Sequence, residues 1–252
     1  MKKIIITTTL ALQLSNLLYA TNTNQLVDEY IKISGTETAL ATLPKQIEVS
    51  LKQSKNIYKT NDNIQKSQAI KKAFSKDEIK KLYAEYLTKN SDKEFLKSVN
   101  SSHKSEIFKR ITHEQINSMS PEIESEIIEY MIKLQSNPPN NERVEVVHNI
   151  VNELDLVDTK ANIAVDLIKH INKMMPQQKQ IDGKYISKLK NTLKMTYHKQ
   201  MILTSFYLYR NFTNEELKQY LAYYKSKIGK REINTNQKAL SYVLEKSFEK
   251  IK

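Results

Sequence analysis

Apolar residues recur at intervals of three and four along most of the chain, which is the spacing of helices with one buried face. The clearest stripe comprises Leu217, Tyr220, Leu221, Tyr224 and Ile228. Only three glycines and five prolines interrupt these patterns, and so few turn residues favour long helices over many short strands. The sequence therefore predicts an all-α protein, with Gly183–Met195 and Thr196–Tyr209 among its separate helices.

Two stretches of twenty residues, 74–93 and 212–231, are similar. Aligned without a gap, they are identical at Phe74/Phe212, Glu78/Glu216, Lys80/Lys218, Ala84/Ala222, Tyr86/Tyr224 and Lys89/Lys227. Each stretch predicts a helix entered through a capping box, which is formed by Ser75 and Glu78 in the first copy and by Thr213 and Glu216 in the second. A hydrophobic staple accompanies each box, Phe74 with Ile79 and Phe212 with Leu217. Gly229 is predicted to end the second helix as a left-handed C-cap.

The run Asn137-Pro138-Pro139-Asn140-Asn141 cannot continue a helix and is typical of a linker. After it, the stripe Val147, Ile150, Val151, Leu154 resembles the earlier stripe Val27, Tyr30, Ile31, Ser34. The sequence therefore predicts two similar multi-helix halves, residues 23–137 and 141–252, of which the first is a degenerate copy. One continuous helical domain with an internal repeat is the alternative.

Residues 1–20 have the order of a secretory signal peptide: Met1-Lys2-Lys3, then an apolar run to Leu18, then a small residue at Ala20. We expect cleavage near Ala20 and a soluble periplasmic protein with no transmembrane span. The chain has no cysteine, so we expect its stability to come from packing, without disulfides or thiolate metal sites.

The formal net charge is +12, and it is +10 without Lys2 and Lys3. Such a charge suits anionic lipid headgroups, lipopolysaccharide or acidic partners. The alternative is a general bias in composition, since the lysines alternate with acids along a chain rich in Lys, Asn and Ile. We do not expect a nucleic-acid partner, because the predicted compartment holds little nucleic acid.

The polar residues contain no complete catalytic pattern. Glu145-x-x-His148 has the spacing of half a diiron site, but no second copy of that motif is present. Three acids, Glu122, Glu124 and Glu126, are compatible with a wall hydrolase, although acids are common at the start of a helix for dipole reasons. The sequence predicts no enzymatic activity, no metal and no cofactor.

The pattern Phe212-Thr213-x-Glu215-Glu216-Leu217, followed by Tyr223-Tyr224-x-Ser226-x-x-Gly229-Lys230, resembles the exported bacterial proteins called domain-of-unknown-function family 2059. Lys227 stands where that family usually has proline, and Tyr223 stands where it has phenylalanine. In the first copy Ser91 replaces the glycine. The resemblance implies an exported all-helical domain and implies no activity.

The second copy has Tyr223, Lys225 and Lys230 where the first copy has Glu85, Leu87 and Asp92. We expect Tyr223, Lys225, Lys230 and Arg231 to lie off the core stripe, at the surface, and to carry any contact with a partner or ligand. Tyr207 also lies off the stripe and is a second surface candidate. The leading functional hypothesis is a non-catalytic interaction or scaffold protein of the cell envelope, whose partner is an unidentified envelope protein. The alternatives are a binder or carrier of an anionic lipid or envelope polymer, and a cell-wall hydrolase.

Overall fold

The computed structural model describes residues 23–58, 64–120, 123–174, 177 and 180–251, and it describes the side chains of all of these except 49–58 and 64–67. Throughout the described residues the regular structure is helical, so the prediction of an all-α protein is confirmed. The predicted signal peptide, residues 1–20, lies outside the described residues. No helix within the described ranges has both the length and the apolar composition that crossing a bilayer requires.

The helices follow one another with short connections: α1 23–33, α2 Thr36–Tyr58, α3 Ile64–Ala73, α4 Lys76–Asn90, α5 Lys93–His103, α6 Glu106–Asn117, α7 Ile123–Ser136, α8 Asn141–Glu153, α9 Leu156–Lys173, α10 Gly183–Leu208, α11 Asn214–Lys225 and α12 Lys227–Glu249. The proline-rich run separates α7 from α8, and the Asn140 side chain accepts a hydrogen bond from the Arg143 N–H (2.8 Å) to cap α8. The prediction of two helices within 183–209 is wrong. The Thr196 hydroxyl donates to the Thr192 carbonyl (3.1 Å) inside one continuous helix instead of capping a new one.

The two predicted capping boxes differ in the structure. At α11, the Thr213 hydroxyl accepts from the Glu216 N–H (3.2 Å) and the Glu216 carboxylate accepts from the Thr213 N–H (2.7 Å), so this box is confirmed. At α4, Ser75 has the extended backbone of an N-cap, but its hydroxyl makes no capping bond. The box predicted there is wrong, because Glu78 pairs instead with Lys250 from the end of α12.

The staple residues belong to two separate hydrophobic cores, and all four are at most 3% exposed. The first core contains Phe74 and Ile79, and it is built from α1, α2, α4, α5 and the end of α3, together with α9 and α12. The second core contains Phe212 and Leu217, and it is built from α6, α8, α10 and α11. Neither core therefore belongs to one half of the chain alone.

Each repeated helix is covered by a helix from the other half. α12 packs along α4, where the Tyr242 ring lies 5.5 Å from the Tyr86 ring. α6 packs on α11, where the Phe108 ring lies 5.0 Å from the Tyr220 ring. This exchange favours one continuous helical domain, and the duplication of the two halves stays a prediction.

Both halves begin with a helix pair joined through a residue with positive φ. Gly35 (φ 74°) lies between α1 and α2, and Asp155 (φ 51°) lies between α8 and α9. The register that aligns Val27 with Val147 also aligns these two residues. The weak sequence match between the halves thus corresponds to the same local backbone geometry.

Gly229 has a role that the sequence does not reveal. It lies in the first turn of α12, and Ser226 both ends α11 and caps α12 by accepting a hydrogen bond from the Gly229 N–H (3.2 Å). A Cβ on Gly229 would lie 2.6 Å from the Tyr224 Cα and would also meet the Tyr223 carbonyl oxygen. The predicted left-handed C-cap is therefore wrong: glycine is required here because two helices meet backbone to backbone.

We predict that Gly229→Ala lowers the free energy of unfolding by roughly 1–3 kcal/mol, because the added methyl forces α12 away from the last turn of α11. Urea unfolding followed by circular dichroism measures this change. The matched control is Gly183→Ala in α10, where an added Cβ meets nothing within 4 Å. That substitution should be neutral or slightly stabilising. Equal stability of the two variants would contradict the assigned role of Gly229.

Candidate functional site

The four predicted contact residues lie around the junction of α11 and α12. Lys225, the last residue of α11, is exposed. The Lys230 Nζ lies 3.7 Å from a Glu153 carboxylate oxygen. Arg231 pairs with Asp92 (2.8 Å), and its guanidinium lies 4.2 Å above the Phe95 ring. Two of these three cations therefore connect α12 to neighbouring helices.

Tyr223 does not lie on the surface as predicted. Its side chain is half-buried, and its hydroxyl donates to Glu232 Oε2 at 2.6 Å. The prediction for Tyr207 is also wrong, because this residue is 3% exposed and its hydroxyl donates to Glu126 Oε2 at 2.7 Å. A stripe of apolar residues identifies one buried face of a helix. Here α12 covers a second face of α11, and α7 covers a second face of α10.

The Glu232 carboxylate is the centre of a buried polar cluster. Glu232 is 3% exposed, and Oε1 accepts from the Tyr30 hydroxyl at 2.8 Å. The same oxygen lies 2.8 Å from His103 Nε2, while Oε2 accepts from Tyr223. Helices α1, α5 and α11 thus each direct one polar group onto a single side chain of α12.

Asn236, one turn further along α12, extends the hydrogen bonds to α4. Its Nδ2 donates to the Tyr30 hydroxyl (2.6 Å), and its Oδ1 accepts from the Tyr83 hydroxyl (2.8 Å). We refer to this set as the Glu232 cluster: Tyr30, Tyr83, His103, Tyr223, Glu232 and Asn236. Its members come from five helices, and so the cluster connects both halves of the chain.

His103 occupies a closed aromatic environment. Its ring lies edge-on to Tyr30 at 5.6 Å and to Phe108 at 4.9 Å. Nδ1 is buried and has no hydrogen-bond partner among the described residues. In the tautomer whose Nε2–H donates to Glu232, Nδ1 carries a lone pair and no hydrogen. No buried N–H is then left without an acceptor.

The tyrosines of the cluster are held in their neutral form. Burial raises the pKa of Tyr30, Tyr83 and Tyr223, and the negative charge of Glu232 raises each of them further. In the neighbouring second core, burial raises the pKa of Tyr220 to about 12. The phenols of the cluster are therefore hydrogen-bond donors at neutral pH. The cluster is a set of mutually satisfied groups whose clearest physical role is to fix five helices relative to one another.

α10 has a different character. It contains five lysines and no acidic residue. One side of the helix between residues 184 and 199 is solvent-exposed, and we call it the α10 face: Lys184, Tyr185, Lys188, Thr192, Met195 and Lys199. The three lysines of this face have no ion pair with any described residue, whereas Lys194 beside them pairs with Asp158. The α10 face is thus a positively charged surface.

The α10 face was not predicted from the sequence. The available signal was the run 183–210, which holds five lysines and one arginine with no acid in a chain whose lysines otherwise alternate with acids. Glu232 and His103 were not predicted either. The signal for Glu232 was a charged residue at core spacing from Ala239 and Val243, which are apolar.

The other candidates are less well defined. A cavity of about 370 Å³ is lined by His170, Lys173, Met174, Glu245, Phe248, Glu249 and Ile251. The His170 ring stacks on Phe248 (4.7 Å), and burial lowers the pKa of His170. The lining carries charges of both signs beside apolar side chains, so it selects no ligand class.

Possible ligands to a metal are dispersed. His148 faces the His198 ring at 6.2 Å, and Glu145 is exposed. Within the described part of the chain, no group of three or more His, Asp or Glu side chains is placed to hold a metal ion. Of the acids considered for a hydrolase, Glu124 and Glu126 lie two residues apart on one exposed helical turn, and Glu122 lies outside the described residues.

Comparison of the chain with protein families, with curated proteins and with solved structures found no match. The resemblance to domain-of-unknown-function family 2059 therefore stays a prediction.

We predict that Tyr223→Phe lowers the free energy of unfolding by about 1.5–3 kcal/mol, because it removes a hydrogen bond to a buried carboxylate. The matched control is Tyr242→Phe, whose hydroxyl donates to Glu85 (2.8 Å), a side chain that is 34% exposed. The control should cost less than about 1 kcal/mol, since water replaces the lost donor. Chemical unfolding of both variants makes the comparison. A smaller loss for Tyr223→Phe than for the control would show that the Glu232 cluster does not stabilise the fold.

We also predict a loss of stability at alkaline pH. Burial raises the pKa of several tyrosines, so the folded state keeps protons that the unfolded state releases; among them are Tyr30, Tyr83, Tyr209, Tyr220, Tyr223 and Tyr224. Their contribution is complete below the unfolded pKa of about 10. Above that pH each tyrosine lowers the stability by about 1.4 kcal/mol per pH unit, until its folded pKa is passed. Tyrosinate absorbance should therefore rise together with loss of the helical dichroism signal. Complete ionisation of a still helical protein would refute this assignment.

Proposed function

We propose that the protein is a non-catalytic helical interaction protein of the cell envelope, and that it binds an anionic component of the envelope through the α10 face. The observation that carries this proposal is the acid-free α10, with three exposed lysines that have no ion pair among the described residues. The net charge of +12 is compatible with such a partner but does not locate a site.

α10 differs from the other long helices in composition, because its 26 residues include no acid of their own that could pair with its lysines. Many lysines elsewhere lie within 4 Å of a carboxylate, including Lys89 with Glu85 (2.6 Å) and Lys246 with Glu249 (2.8 Å). Such pairs are locally neutral and attract a polyanion weakly. An unpaired lysine near an anionic surface contributes about 1 kcal/mol, so the three on α10 supply about 3 kcal/mol, or roughly 100-fold in affinity.

The Glu232 cluster supports this proposal indirectly. Its polar groups are hydrogen-bonded mainly to each other, and they hold α12 against α1, α4, α5 and α11. α10 packs along α9 and against α8 in the same structure. The cluster thus holds the interior helices in fixed positions, and the lysines available for binding lie on the surface of α10.

A second candidate is contact with an envelope protein through α7. This helix has no buried residue, and its Ile128 and Ile132 are 53% and 58% exposed. Exposed isoleucines one turn apart are typical of protein interfaces, although two side chains cover little area.

We predict that the triple variant Lys184→Gln, Lys188→Gln, Lys199→Gln binds a soluble polyanion such as heparin up to about 100-fold more weakly at low salt. The matched control replaces three paired lysines with glutamine and changes the net charge equally: Lys89, Lys97 and Lys246. Titration of each variant, without residues 1–20, measures the affinity. The control should lose far less affinity than the α10 variant. Equal losses would mean that net charge alone governs binding, and the α10 face would be rejected as the site.

A further inference from the structure

We infer that the anionic component is the surface of a phospholipid bilayer, with α10 lying along the lipid headgroups. This inference rests on the proposed function and names its partner. It is carried by two large apolar side chains on the α10 face, Tyr185 at 57% exposure and Met195 at 70% exposure. Within the described residues, Met195 is the most exposed of the large hydrophobic side chains.

The lysines and the apolar residues share one side of the helix. With about 100° per residue, Lys184, Tyr185, Lys188, Met195 and Lys199 fall within an arc of roughly 100°. They extend over roughly 22 Å along the helix axis. A flat surface that contacts the lysines therefore contacts Tyr185 and Met195 as well.

The chemistry of this face fits a bilayer better than a soluble polymer. A sulfated or phosphorylated polymer offers charge to the lysines but leaves Tyr185 and Met195 in water. At a bilayer, lysines reach the phosphates, a tyrosine ring lies at headgroup level with its hydroxyl in water, and a methionine enters the acyl boundary.

The rest of α10 limits how deeply the helix enters. Its opposite side packs in the fold through Ile186, which is 6% exposed, and α9 lies along the helix. Asp182 caps the helix start by accepting from the Lys184 N–H (3.2 Å), so one acid lies beside the face. We therefore expect shallow, reversible binding that requires anionic lipid and weakens as salt is added.

The test uses the absence of cysteine from the chain, which makes a single introduced thiol unique. Met195→Cys is labelled with the environment-sensitive fluorophore NBD and mixed with vesicles of phosphatidylglycerol and phosphatidylethanolamine. The emission should shift to the blue and increase, with no change on vesicles of phosphatidylcholine. Gln219→Cys, on an exposed position of α11, is the matched control and should not respond. An unchanged Met195 label in the presence of the anionic vesicles overturns the inference.

A second pair of measurements separates this inference from the proposed function. The double variant Tyr185→Ser, Met195→Gln should bind the anionic vesicles about tenfold more weakly and bind heparin as the wild type does. The lysine triple variant should lose affinity for both. Unchanged vesicle binding by the double variant rejects the bilayer as the partner, while the heparin result still decides whether the α10 face binds anions. Unchanged binding of both ligands by the lysine variant rejects both proposals.

Discussion

Burying the Glu232 carboxylate removes a charged group from water at a cost of several kcal/mol, which a fold tolerates only when both oxygens are hydrogen-bonded. Tyr30, His103 and Tyr223 meet that requirement from three different helices. Since these partners belong to three other helices, the carboxylate is satisfied only when α1, α5 and α11 are all in place around α12. The relative positions of these helices are thereby coupled to one side chain.

The same site explains why the repeated stretches do not divide the chain into two bodies. Ser226 ends α11 and starts α12 without a loop, so α12 follows directly from the second core, carries Glu232 near its start and then packs along α4. α6 makes the reciprocal crossing to α11. Gly229 permits the first crossing because any side chain there would meet the backbone of α11. The hydrogen bonds of the Glu232 cluster fix the relative orientation of the helices at this crossing, whereas apolar packing alone permits several orientations.

Much of the fold was predictable from local signals. Helical periodicity gave the all-α class, the Thr213 capping box marked the start of α11, and the prolines at 138–139 marked a helix break. In two of the failed predictions, contact with another helix decided the outcome. Glu78 pairs with Lys250 instead of closing the predicted capping box, and α12 covers the side of α11 that carries Tyr223. The Glu232 cluster was not predictable, because its members are scattered from residue 30 to residue 236 and only packing brings them together.

The α10 face shows the opposite relation between sequence and structure. Its positive charge is evident from the local sequence, which has lysines and no acids. Which of these lysines are exposed depends on which side of the helix the fold leaves uncovered. The fold buries Ile186 on one side of α10, where α9 packs along the helix, and leaves Lys184, Lys188 and Lys199 in water together with Met195. Exposed lysines and single exposed apolar side chains are each common, whereas a methionine left 70% exposed beside three unpaired lysines suits a partner that is both anionic and apolar. A lipid headgroup layer combines these two properties within a few ångströms, and a rigid helix held by an interior such as this one presents both kinds of side chain to it at once.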